Sequence, residues 1–167
     1  MDKNTLPDPD FLRKCLRYEA ETGHIFWVER LSNASKVGSA AFCQKRKDGY
    51  LHGQILGKKQ LAHRVAWAIH YGYWPENDID HINRDRSDNS ISNLREATRS
   101  ENCGNAAAKS TNTSGFKGVH RHGRSWVASI TVEGVANRLG SYPTPEAAHC
   151  AYKLAAEKYF GEFARTE

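Results

Sequence analysis

A chain of 167 residues, 39% hydrophobic and 26% charged, has the balance of a folded globular protein, with room for one ordinary domain or roughly two to three small modules. No stretch reaches the roughly 20 apolar residues of a membrane span, and the opening MDKNTLPDPDFLRK lacks the basic start, apolar run and cleavage site of a secretory signal. A protein kept inside the cell, with no membrane partner, is expected. Cys15, Cys43, Cys103 and Cys150 form no C-x-x-C pair, which argues against a zinc knuckle and a disulfide framework and leaves plain thiols.

The formal charge of +5 points to a polyanionic partner, and its distribution sharpens that. Residues 1 to 74 hold twelve Lys and Arg against seven acids, 75 to 114 hold five against seven, and 115 to 167 hold seven against five. Two basic segments flank an acidic centre, an arrangement that suits positive arms for phosphate and carboxylates for a cation.

Residues 9 to 21 place Phe11, Leu12, Cys15 and Leu16 on one face and predict a short amphipathic helix ended by Gly23. Short β-prone runs follow at 23 to 29, around 37 to 43 and at 48 to 56, and predict small antiparallel strands. The Asp48-Gly49 turn follows Lys45, Arg46 and Lys47, and the next turn is Gly57-Lys58-Lys59. Such basic tips either grip phosphates or only keep the turns solvated. Residues 61 to 73 predict a helix with Leu61, Val65, Ala68 and Ile69 buried and Gly72 as its stop. His63 and His70 on it have no partner at ligand spacing and read as structural histidines.

KSTNTSG, residues 109 to 115, predicts a linker. Beyond it FKGVHR (116 to 121), SWVASITV (125 to 132) and VANRLGSY (135 to 142) predict a three-stranded meander. Thr144 and Pro145 then start a helix whose alanine-rich face packs on the sheet and which Gly161 closes. The C-terminal module is a βββα unit.

The acidic centre runs Asp78-Ile79-Asp80-His81-Ile82 into a polar loop and leaves it as Ile91-Ser92-Asn93-Leu94-Arg95. Thr98 to Glu101 matches the capping box, predicting a helix from residue 99 that puts Asn102 and Asn105 on one face. Asn and Gly104 are poor helix formers, so side chains wanted on that face are the reason to place them there. Two short strands and a helix thus bring together a hard-metal carboxylate, a histidine base and an amide oxygen, the roles phosphodiester hydrolysis needs. The same residues also read as a polar loop in which Asp80, Asn89 and Asn93 satisfy turn backbone groups.

Asp80-His81, Asn93 and Asn102 resemble the HNH endonuclease motif in the variant ending in Asn. Asp-His-Ile-Asn, Asp-Asn-x-Ile-x-Asn-Leu-Arg, His63-Arg64-x-Ala-Trp and Gly72-x-Trp74-Pro75 extend the likeness to phage-borne and intron-associated homing-type nucleases over about residues 60 to 105. The resemblance implies that Asp80 and Asn102 hold one divalent ion, Mg²⁺ or alternatively Mn²⁺ and not zinc, with Asn105 the alternative to Asn102. It makes His81 the base and Asn93 the residue that ties the strands together and orients His81. A flat strand would point Asp80 and His81 to opposite faces, so a bend or bulge is expected there.

Residues 114 to 165 resemble the DNA-binding domain of plant ethylene-response factors through Ser114-Gly115-Phe116-Lys117-Gly118-Val119, Trp126-x-Ala128-x-Ile130, Leu139-Gly140-Ser141-Tyr142-x-Thr144 and Ala147-Ala148-x-x-Ala151-Tyr152. Its sheet enters the major groove, which implies DNA contacts from Lys117, Arg121, Arg124, Trp126 and Arg138. Arg138 stands where the plant proteins often have Trp.

The sequence therefore predicts an α+β protein: an N-terminal basic DNA-gripping module (1–74), an HNH ββα-metal nuclease core (75–108), a linker (109–115) and a βββα DNA-binding domain (116–167). The expected activity is metal-dependent, homing-type DNA endonuclease cleavage at preferred sites. The catalytic residues are His81, Asp80, Asn93 and Asn102, and Lys45, Arg46, Lys47, Lys58, Lys59 and Arg95 grip double-stranded DNA. No small-molecule cofactor is expected, and the setting is the cytoplasm of a bacterial host or phage-infected cell. The alternatives are a DNA-binding regulator or accessory protein whose ββα unit is inactive, and an RNA-binding module, which the absence of an RNA motif disfavours.

Overall fold

A computed structural model describes residues 6–33, 35–108 and 111–166 and divides into two compact units, residues 1–96 and 97–167. Residues 109 and 110, the start of the expected linker, lie outside the described residues.

In the first unit, Asp8 accepts from the backbone N–H of Asp10 and Pro9 supplies a fixed φ, so α1 (Pro9–Cys15) starts there. The helix stops earlier than its apolar spacing predicts. Leu16 turns extended and begins β1 (Leu16–Tyr18), which pairs antiparallel with β2 (Ile25–Trp27) in the register Leu16↔Trp27 and Tyr18↔Ile25. Pairing buries Leu16, Ile25 and Trp27 together in the core, a tertiary gain that overrides the helical pattern of residues 16 to 21. β3 (Ala40–Ala41) adds to β2.

A second sheet holds β4 (Gln44–Lys45), β5 (Leu51–Ile55) and β6 (Lys58–Leu61) in that order, its hairpins at the two basic turns. β6 runs directly into α2 (Ala62–Tyr71), which Gly72 ends in the left-handed conformation at φ 84, its N–H on Ala68 O. α2 buries Ala62, His63, Val65, Ala66, Trp67 and Ala68. β7 (Asp78–His81) and β8 (Leu94–Ala97) form a two-stranded sheet.

Ile79 of β7 and Leu94 of β8 belong to the same cluster as Leu12, Leu16, Ile55 and Val65. The strand pair and the N-terminal segment share one core, so the first unit runs through residue 96 where the sequence reading drew a module boundary after residue 74.

The second unit opens with α3 (Arg99–Asn105), whose capping box is formed in both directions between Thr98 and Glu101. Gly104 lies so close to Phe160 that a Cβ there would meet Phe160 Cγ at 2.8 Å. α3 is thereby packed into the C-terminal unit.

β9 (Val119–His122), β10 (Ser125–Val132) and β11 (Val135–Tyr142) make an antiparallel sheet of order β11-β10-β9, with a register shift between Ala128 and Ser129. The first strand begins later than predicted because residues 112 to 116 close a turn, Ser114 Oγ donating to Phe116 O and Asn112 Nδ2 to the same carbonyl. α4 (Pro145–Phe160) starts at Thr144 and lays Ala148, Tyr152, Ala156 and Phe160 on Val119, Ala128 and Ile130. The α+β class is as predicted. Among the described residues no helix is long and apolar enough to cross a membrane.

Candidate active site

β7 is buried at Ile79, Asp80 and His81 in succession, so it offers no solvated face and its polar side chains must find partners inside the protein. Asp80 finds Arg95 from the neighbouring strand. Arg95 Nε donates to Asp80 Oδ2 at 3.0 Å, and Nη2 lies 2.9 Å from the same oxygen. Arg95, expected to grip DNA, has its guanidinium engaged in a largely buried ion pair, the countercharge that a buried carboxylate needs.

His81 ends the strand. Arg84 N–H donates to His81 O at 2.9 Å and Arg84 takes φ 68, so the chain turns at the histidine. The two neighbouring side chains have separate partners, Arg95 for Asp80 and Asn89 for His81.

The His81 ring packs edge-on against His63 of α2, centroids 5.2 Å apart, and against Tyr50 at 5.7 Å. Arg86 covers Tyr50 with its guanidinium 4.9 Å from the ring and donates to Asp48 O. Burial pushes the His81 pKa below the ordinary histidine range, against the opposing pull of the Asn89 hydrogen bond and of Asp80, Asp88 and Asp85. The imidazole is neutral at neutral pH, the form a general base needs.

Burial likewise pushes His63 down to about 3, with His81 and Arg64 adding to the effect. Its Nδ1 finds no hydrogen-bond partner among the described residues. His63 is a buried structural histidine, as its sequence setting predicts, and its neutral ring packs against His81, a contact between residues 18 positions apart that sequence spacing gives no reason to expect.

The loop between the strands is held by its own side chains. Asn83 N–H donates to Asn93 Oδ1 and Asn93 Nδ2 to Asp88 O, each at 2.8 Å, while Ile82 N–H donates to Asn93 O at 2.9 Å. Asp85 and Asp88 cap the turns through Ser87 and Ser90, whose hydroxyl hydrogen bonds lower both carboxyl pKa values.

Asn93 thus braces loop and strands. The side chain that reaches the His81 ring is Asn89, its Oδ1 3.1 Å from Nε2. Asn89 lies within the Asp-Asn-x-Ile-x-Asn-Leu-Arg text, but nothing in that spacing separates a histidine partner from an ordinary turn asparagine.

Asn102 and Asn105 both stand half-buried on α3, in the second unit. Among the described residues no group of three or more His, Cys, Asp and Glu forms a metal cluster. The donors that the motif offers are oxygens, a carboxylate and an amide. That set fits a Mg²⁺-class ion, which takes one or two protein oxygens and completes its shell with water and phosphate.

In the first unit Lys45, Arg46, Lys47 and Lys59 are exposed and Lys58 is half-buried, and Arg46 also pairs with Asp48 at 2.9 Å. Arg46, His52, Lys59, Gln60, Leu61 and Arg64 line a cavity of 310 Å³ whose charge suits phosphate. Arg64 is braced there by donating to Pro75 O and Asn77 O.

In the second unit, the five residues expected to face DNA differ in setting. Lys117 precedes β9 and donates to the carbonyls of Cys103 and Gly104, and burial pushes it down to about 8. Trp126 packs with Val119, Ala128 and Ala148, with Arg121 across the strand pair at 5.9 Å from its ring. Arg124 is exposed in the β9–β10 turn, and Arg138 is exposed on β11 and donates to Ser141 Oγ.

Residues 60–103, from the end of β6 through α2, β7 and β8 into α3, match the HNH endonuclease family model. The chain is 35% identical over 119 residues to an uncharacterised HNH endonuclease of Acanthamoeba polyphaga mimivirus, covering 71% of this chain and 62% of that one. It is 31% identical over 111 residues to Protein 3.8 of Escherichia phage T7, covering 65% of this chain and 91% of that one. Among solved structures the HNH homing endonuclease I-HmuI aligns at a TM-score of 0.43 and 22% identity, over 85% of this chain and 79% of that one.

The class that the match defines is the HNH endonucleases, and the chain carries an HNH endonuclease domain over residues 60–103. It spans 62% of the length of its mimivirus relative.

Proposed function

We propose that the protein is a metal-dependent DNA endonuclease that hydrolyses phosphodiester bonds at preferred sites, in the manner of homing enzymes. The observation that carries this reading is the pair at the end of β7: a buried, neutral His81 oriented by Asn89, beside an Asp80 carboxylate held by Arg95. His81 takes a proton from the attacking water. The water oxygen bonds to phosphorus, the bond to the 3′ oxygen breaks and that oxygen takes a proton from solvent, so the products carry 5′-phosphate and 3′-hydroxyl ends.

Asp80 is the carboxylate ligand of one divalent ion, Mg²⁺ or Mn²⁺, and Asn102 is the second oxygen ligand implied by the family resemblance. When bound, the ion neutralises charge on the scissile phosphate and on the leaving oxygen. Asn93 serves the site by holding the loop in which Asn89 stands.

The exposed cations of the β4–β6 sheet, Lys45, Arg46, Lys47 and Lys59, track the phosphate backbone, as does half-buried Lys58. The βββα module, which resembles the DNA-binding domain of plant ethylene-response factors, anchors the protein on its site through Arg121, Arg124 and Arg138. Trp126 holds Arg121 in place by stacking, and Lys117 supports the module at the end of α3.

The test is cleavage of a supercoiled plasmid by wild type and His81→Ala, with and without Mg²⁺. Metal-dependent open circles that vanish in the variant support the reading, and early linear product indicates that both strands are cut. Plasmid that stays intact under Mg²⁺ and Mn²⁺, yet is retarded on a gel, replaces the nuclease with a DNA-binding regulator.

A further inference from the structure

We infer that Asn89 is the positioning residue that fixes the His81 ring as its Nε2–H tautomer. The inference rests on the reading of His81 as the base.

An asparagine side chain presents an oxygen on one side and an NH₂ on the other, and the network decides which faces which neighbour. Asn89 Nδ2 donates to Ser87 O at 3.4 Å. That leaves Oδ1 toward His81 Nε2 at 3.1 Å. An amide oxygen only accepts, so Nε2 must carry the proton, and a neutral imidazole protonated at Nε2 has its lone pair on Nδ1.

The residue is held in place from several sides. Asn89 is 1% exposed, and its own carbonyl accepts from the Tyr18 hydroxyl at 2.7 Å. The next residues are pinned as well, Ile91 N–H donating to Ala20 O at 2.9 Å. Gly23 presses on the same backbone so closely that a Cβ there would fall 2.4 Å from Asn89 C. The segment from β1 to β2 therefore backs the loop. On the ring itself, His63 packs edge-on and Tyr50 tilted, and together they set its plane.

The tautomer can be read without DNA or metal. Long-range ¹H–¹⁵N correlation of the His81 ring at about pH 8, above the ordinary histidine pKa, should give a protonated Nε2 and an unprotonated Nδ1 in the wild-type protein. A protonated Nδ1 there would overturn the inference with no variant needed. Asn89→Leu, which removes the acceptor, should yield mixed or reversed tautomers and lower the nicking kcat about 100-fold with KM little changed.

Asn89→Asp keeps an acceptor and should restore the Nε2–H signature and most of kcat. If Asn89→Leu is folded and its ring spectrum is unchanged, Asn89 does not set the tautomer. Failure of the nuclease reading is separate: it is registered by a wild-type protein that does not cut, whatever its ring spectrum.

Discussion

Arg95 closes on Asp80 with two donors on one oxygen, Nε at 3.0 Å and Nη2 at 2.9 Å from Oδ2, with only 14% and 6% of the two side chains exposed. A pair this deep is worth little against an apolar pair of equal volume, but breaking it from one side leaves a buried charge. Its presence on β7 is therefore not explained by stability, and the proposed role of the Asp80 carboxylate accounts for it.

Arg95→Leu should destabilise the protein by about 3 kcal/mol in urea unfolding, because it strands Asp80. The double variant Arg95→Leu/Asp80→Leu should recover most of that stability while remaining inactive on plasmid. A single variant as stable as wild type would mean that the pair is not formed in solution.

The His63 pKa of about 3 against an ordinary 6.5 sets a pH dependence of known sign. Between those values the unfolded chain binds a proton that the folded chain refuses, so stability is complete above about 6.5 and declines as pH falls toward 3. Buried His81 acts in the same direction. His63→Phe, which keeps a ring beside His81, should flatten the slope of unfolding free energy across this window by up to about 1.4 kcal/mol per pH unit. An unaltered slope would place His63 in water.

Gly23 has φ +74, and its missing Cβ is the space that Asn89 and Ser90 occupy. Gly23→Ala should therefore cost more than about 1 kcal/mol and reduce plasmid cleavage by displacing Asn89. Gly57→Ala is the matched control. It has φ +76 with nothing within 4 Å of the new methyl group, so it carries backbone strain alone and should leave cutting intact. Equal loss of cutting in both would disconnect Gly23 from the loop.

The cations divide into two sorts that binding measurements can separate. Lys47→Ala and Lys59→Ala, at exposed positions, should each reduce the slope of log affinity against log salt by about 1. Lys117→Ala should leave that slope unchanged and lower Tm, since Lys117 donates to the last carbonyls of α3. A salt slope reduced by Lys117→Ala and not by Lys59→Ala would reverse the assignment.

Local signals in the sequence determined much of this protein. Asp8-Pro9, Thr98 to Glu101, Thr144-Pro145 and the turn glycines act within a few residues of where they stand, so helix starts and hairpins could be placed by inspection. The sequence also carried Asp80, His81 and the asparagines in a spacing specific enough to identify their family. The tertiary structure decided what those side chains touch. The end of α1 was set by strand pairing of Leu16 with Trp27, and the contacts of His81 with His63, Tyr50 and Asn89 come from three separate segments. Hydrogen bonds and ring contacts between distant segments depend on how the core of Leu12, Val65, Ile79 and Leu94 closes. Closure is a property of all those residues together and leaves no mark on the spacing of any one of them.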